Sequence, residues 1–86
     1  MIHLEDPNQI VPGMFLLSFD LNDARHLVKA TSRAYPSLNG GQDFNAECIA
    51  SNSVYMPGAP WNADWAHWYI LTEDEATLWR LRMKPA

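Results

Sequence analysis

Trp61-Asn62-Ala63-Asp64-Trp65-Ala66-His67-Trp68-Tyr69-Ile70-Leu71 holds three of the chain's four tryptophans and one of its three tyrosines. Each large aromatic can bury roughly 150–250 Å², so the fold is expected to be built against this stretch. Residues 65–71 read as a strand, because Trp, Tyr and Ile suit a pleated, half-buried surface. A helix is the rival reading, since Trp61, Trp65 and Trp68 also fit the i, i+4, i+7 pattern. Just upstream, Pro57-Gly58-Ala59-Pro60 forces a turn. Residues 57–64 are therefore expected to form a Pro/Trp loop that presents Trp61 beside Asp64.

Downstream, two signals conflict. Thr72-Glu73-Asp74-Glu75 spells a capping box and predicts a helix. Residues 77–84 alternate instead, with Trp79, Leu81 and Met83 on one side of a strand and Leu78, Arg80, Arg82 and Lys84 on the other. On a helix, Arg82 would fall within the apolar arc between Leu78 and Trp79. The alternation favours a hairpin whose four-residue loop is residues 73–76.

Towards the N-terminus, the clearest helix signal starts at Asp20. Asp20 can cap with Asp23 three residues on, and Phe19 can staple onto Ala24. Ala24, Leu27, Val28, Thr31, Ala34 and Tyr35 then recur at helical spacing, and Pro36 ends the run. Arg25, Lys29 and Arg33 share another face, where basic residues late in the helix suit its dipole. Before it, residues 14–19 (MFLLSF) read as a buried strand, and residues 1–13 as an irregular lead-in broken by Pro7, Pro12 and Gly13. Residues 37–42 read as a turn. Residues 44–56 stay open between two short strands, one bulged strand, and a helical turn at their start. The sum is an α+β fold: a small antiparallel sheet with one main helix packed on it, in a single domain spanning residues 1–86.

Eighty-six residues with 48% apolar and 19% charged side chains describe an ordinary globular chain rather than a disordered one. The start at Met1 reads as that of a complete small protein. No segment has the build of a signal peptide or a membrane span. A single cysteine, Cys48, excludes an internal disulfide framework and a Cys-based zinc site, so a reducing cytoplasm is the expected location.

The net charge of −4 is unevenly spread. Between residues 35 and 79 there is no Lys or Arg, while Asp43, Glu47, Asp64, Glu73, Asp74 and Glu75 all fall there. Nucleic-acid binding calls for the opposite balance. An acidic surface suits a larger protein partner with a basic surface.

Catalytic patterns are weak. Asp23-Ala-Arg-His26 and Asp64-Trp-Ala-His67 would each share a helix face, but a dinuclear carboxylate site needs four long helices. Cys48 lacks a family-type nucleophile context. Asn39-Gly40-Gly41-Gln42 lacks the lysine of a phosphate loop. No Gly-x-Ser-x-Gly occurs. We therefore expect no catalytic residues, no metal site and no cofactor.

In overall type the chain resembles the small, acidic α+β proteins of phages and mobile elements, including anti-CRISPR and other anti-defence inhibitors. The resemblance rests on size and charge and carries no residue assignments. It implies a non-enzymatic binding protein that inhibits or modulates a larger protein by occupying its surface. Trp61, Asp64, Trp65, Glu73, Asp74 and Glu75 are the expected contacts, since Trp anchors interfaces and the acids would meet a basic partner. The alternative is a small-molecule or nucleotide-sequestering protein with a Trp-lined pocket. Self-association is a further expectation, because four Trp in so short a chain can complete a core across a two-fold axis to give a homodimer.

Overall fold

Among the described residues, seven strands and one α-helix follow one another in the order β1 (Ile2–His3), β2 (Phe15–Phe19), β3 (Arg25–Ala30), β4 (Tyr35–Pro36), β5 (Gln42–Ser51), β6 (Pro60–Asp64), β7 (Trp68–Leu71) and α1 (Glu73–Arg82). The structure is a computed structural model and describes residues 1–19, 25–51, 58 and 60–83. All strand pairings are antiparallel, in the order β1-β7-β2-β3-β5, with both β4 and β6 also paired to β5. Asp43 pairs with Tyr35 of β4 and also with Asp64 of β6, so these two strands flank β5 on opposite edges. By the same test β3 lies opposite β6, since Ala46 pairs with both Ala30 and Trp61. Strand β4 is therefore the interrupted continuation of β3.

This order cannot be flat. β6 and β7 stand four strand spacings apart, about 19 Å in a flat sheet. Yet only residues 65–67 join them, and four Cα steps reach at most about 14 Å. The sheet curls, and its concave face becomes an inner core of Leu4, Ile10, Leu16, Val28, Ala30, Phe44, Ala46 and Trp68. The Phe44 and Trp68 rings meet edge to face at 5.4 Å. The Trp68 indole N–H donates to the Asp64 carbonyl at 2.8 Å and pins the corner. The outer face carries a second core of Leu17, Leu27, Ala50, Leu71, Ala76 and Met83, where α1 packs.

The α+β architecture agrees with the sequence, but the helix is elsewhere. Residues 25–30, expected in the main helix, form β3. His26, Leu27 and Val28 are all buried, because β3 is a central strand covered on both faces. Leu27 serves the outer core and Val28 the inner one. A helix would have buried a single stripe, and the same apolar residues satisfy both patterns. The expected cap at Asp20, with Asp23 and Ala24, lies outside the described residues.

In place of the second hairpin strand expected within residues 72–84, Glu73–Arg82 is α1. Its capping box closes fully: Glu75 N–H donates to Thr72 Oγ1 at 3.2 Å, and Thr72 N–H to Glu75 Oε1 at 3.0 Å. Only Ala76, Trp79 and Met83 turn towards the sheet. The inward arc is narrow, so Arg82 never has to enter it, and Leu81 leaves the pattern that suggested a strand.

Two other segments are more regular than expected. Residues 1–13 contain β1 and a 3₁₀ turn, Pro7–Gln9, capped by Asp6, and they insert Leu4 and Ile10 into the inner core. Within the expected 57–64 loop, Pro60–Asp64 is strand β6, paired along β5. The strand expected at 14–19 is present as β2, whereas of the strand expected over 65–71 only Trp68–Leu71 forms β7, residues 65–67 being the turn before it. The open segment 44–56 resolves, as far as it is described, into the single long β5, with a bulge opposite Leu27 and Val28.

Candidate functional site

Strand β5 reads Gln-Asp-Phe-Asn-Ala-Glu-Cys from residue 42, and its period of two sets the site. Phe44, Ala46 and Cys48 are buried inward, so Asp43, Asn45 and Glu47 look outward. Directly opposed residues share a face, which adds Asp64, Asn62 and Tyr35 to the same outer surface. Helix α1 covers the half of this face around Leu17, Leu27 and Ala50 and does not extend over residues 43–47.

The polar core of the uncovered half is a small network. The Tyr35 hydroxyl donates to Asn45 Oδ1 at 2.6 Å, and Asn62 Nδ2 donates to the Tyr35 oxygen. Asn62 Nδ2 also reaches Asn45 Oδ1 at 3.3 Å. This fixes the Tyr35 ring at the edge of a groove of about 520 Å³. The groove runs between the β4–β5 turn and β6 and is lined by Tyr35, Ser37, Leu38, Asn39, Asp43 and Asn62, with Pro36 beside them. Leu38, at the tip of that turn, is fully exposed.

Asp43 and Asp64 face one another across β5 and β6. Among the described residues neither forms an ion pair with a base. The cross-strand row Leu71–Phe15–Lys29–Glu47 brings Lys29 opposite Glu47, while Lys29 Nζ stands 5.7 Å from the Phe15 ring centroid. Leu71, which leads into α1, ends that row. The helix acids Glu73 and Asp74 follow Leu71 in the first turn of α1.

The expected contact residues are dispersed by the fold. Asp64 is exposed on the acidic face, and its Oδ1 accepts the Ala66 N–H at 2.9 Å. Trp65 is half-buried and packs against the inner core. The backbone of Trp61 runs in β6, and its side chain lies outside the described residues. Glu73 and Asp74 are exposed in the first turn of α1. Glu75 is half-buried and holds the Met1 ammonium as well as the cap. The ammonium's hydrogen bond first, and the Thr72 N–H second, keep its carboxyl below the usual range. Tyr35, Asn45 and Asn62 were not singled out from the sequence. The alternation of residues 42–48 could have found Asn45; the other two depend on strand pairing.

Neither Asp-x-x-His pair shares a helix. His26 is in β3, its Nδ1 3.0 Å from Ser51 Oγ, and Asp23 is outside the described residues. Asp64 ends β6, and His67 occupies the following turn with a positive φ of 69°. Cys48 is free and fully buried, and burial pushes its thiol pKa up. Among the described residues, no three His, Cys, Asp or Glu side chains gather as a metal site. No helix there is long and apolar enough to cross a membrane.

Compared with known proteins, the chain matches no family model, no curated protein and no solved structure.

Proposed function

We propose that the protein is a non-enzymatic binding protein that modulates or inhibits a larger protein by covering a basic patch on it. The observation that carries this reading is the Asp43–Asp64 pair. Like charges set directly opposite in a sheet destabilise it, and a basic partner would turn that cost into attraction. The Tyr35 groove beside them suits a cationic side chain, since a ring face and a carboxylate both attract a guanidinium or ammonium. The same acids repel a nucleotide's phosphates, and the described groove is lined by Tyr rather than Trp. The lone buried thiol suits a reducing compartment such as the cytoplasm. An anti-defence role of the anti-CRISPR kind is the extension of this reading that the chain's size and charge support.

The test is capture from a lysate of the native host at low salt, with the wild type beside Asp43→Asn/Asp64→Asn. A stoichiometric partner is expected that is retained by the wild type, lost with the variant, and released by salt. Equal retention by the two proteins, or no retained partner, would count against the reading.

A further inference from the structure

The side of α1 turned away from the sheet carries Asp74, Leu78 and Leu81, at the i, i+4, i+7 spacing of a single stripe. It lies opposite Ala76, Trp79 and Met83, which face the outer core. Leu78 and Leu81 are 57% and 64% exposed. Together they form a small contiguous apolar patch on the helix surface.

The charges on this helix select what covers the stripe. Its first turn holds Glu73, Asp74 and Glu75, and its last turn Arg80 and Arg82. Asp74 and Arg82 each lie one turn from Leu78, on either side. The Arg82 guanidinium is 5.5 Å from the Trp79 ring centroid, and stacking there leaves the in-plane N–H groups available to a carboxylate. A second α1, running antiparallel with Leu78 against Leu78, sets Asp74 of each copy beside Arg82 of the other. A parallel arrangement would oppose acid to acid and base to base. The surface is therefore self-complementary under a two-fold rotation, as an isologous interface requires.

We infer that the outer face of α1 is a homodimer interface, with Leu78 and Leu81 at its centre and two Asp74–Arg82 pairs at its ends. This surface is separate from the acidic face around Asp43 and Asp64. A ten-residue helix is only about 15 Å long, so the contact falls below the standard interface class and the dimer is weak.

Sedimentation of the full chain over roughly micromolar to millimolar concentration tests this. The weight-average mass should climb from 9.8 kDa towards twice that value. Leu78→Glu/Leu81→Glu should hold it at the monomer, with an unchanged circular dichroism spectrum. Asp74→Arg and Arg82→Asp should each weaken association about fivefold or more, and the combined Asp74→Arg/Arg82→Asp chain should return to within about twofold of wild type. Each swap opposes the helix dipole, so recovery in the combined variant cannot come from a stronger helix. A wild type that stays monomeric throughout would overturn the inference. So would a dimer indifferent to the leucine changes, or a combined swap no better than the single ones.

Discussion

Asp43 and Asp64 stand directly opposite one another on the outer face of the β5–β6 pair, two carboxylates with no basic ion-pair partner among the described residues. Fold stability alone would not select this arrangement. Asp43→Asn keeps the shape and removes the repulsion, so it should stabilise the fold by about 0.5 kcal/mol. For a chain of this size that is a rise in Tm of about 2–4 °C, read by thermal melting. If the acids serve binding, the same variant should lose its basic partner. A drop in Tm would show instead that Asp43 is structural.

Glu75 links the chain start to the helix cap. Its carboxyl pKa is lower in the folded protein than the ordinary 4.5, through the Met1 ammonium first and the Thr72 N–H next. A depressed folded pKa means that the contribution is present above about pH 4.5 and fades as pH falls through the lower folded value. Melting curves across the acid range should therefore be flatter for Glu75→Gln than for the wild type. Coincident acid limbs would dismiss the role.

Thr72 supplies the other half of the cap. Thr72→Ala should cost about 1 kcal/mol, seen as a lower denaturant midpoint. Because α1 covers the outer core, Trp79 fluorescence should report the change along with the helix signal.

Cys48 is fully buried opposite Val28, within the strand pairing of β3 and β5. With its thiol pKa raised by burial, a thiol reagent should modify the native protein far more slowly than the denatured one, by about 100-fold or more. Labelling at the denatured rate under native conditions would contradict the burial.

His67 takes a left-handed backbone conformation in the turn that links β6 to β7. His67→Val should destabilise by about 1–2 kcal/mol, since β-branched residues resist positive φ. His67→Gly should stay within about 0.5 kcal/mol, relief of strain offsetting the added freedom of the unfolded chain. Denaturant titration separates the two.

What the sequence by itself determined is local. The Thr72–Glu75 box signals a helix start because its hydrogen bonds lie within four residues, yet the alternation of residues 77–84 argues for a hairpin, and the packing of Ala76, Trp79 and Met83 on the sheet decided for the helix. The sequence leaves residues 44–56 open between strand and helical turn; once residues 42–51 are a strand, the alternation of Asp43, Asn45 and Glu47 with Phe44, Ala46 and Cys48 assigns a face to each. The apolar run at residues 14–19 is a strand, and the aromatic stretch from Trp61 onward does build the corner of the inner core through Trp68.

Only the tertiary structure decided the rest. Ala24, Leu27, Val28 and Thr31 fit a helical stripe, and Leu27 and Val28 fit a central strand buried on both sides equally well. The choice for residues 25–30 came from β2 and β5 pairing on its two edges, which no local signal encodes. The curl likewise follows from a three-residue link between strands far apart in the sheet order. Bringing Asp64 opposite Asp43, and leaving Leu78 and Leu81 in water, are consequences of register and of which side of α1 meets the sheet. Both depend on residues distant in the chain.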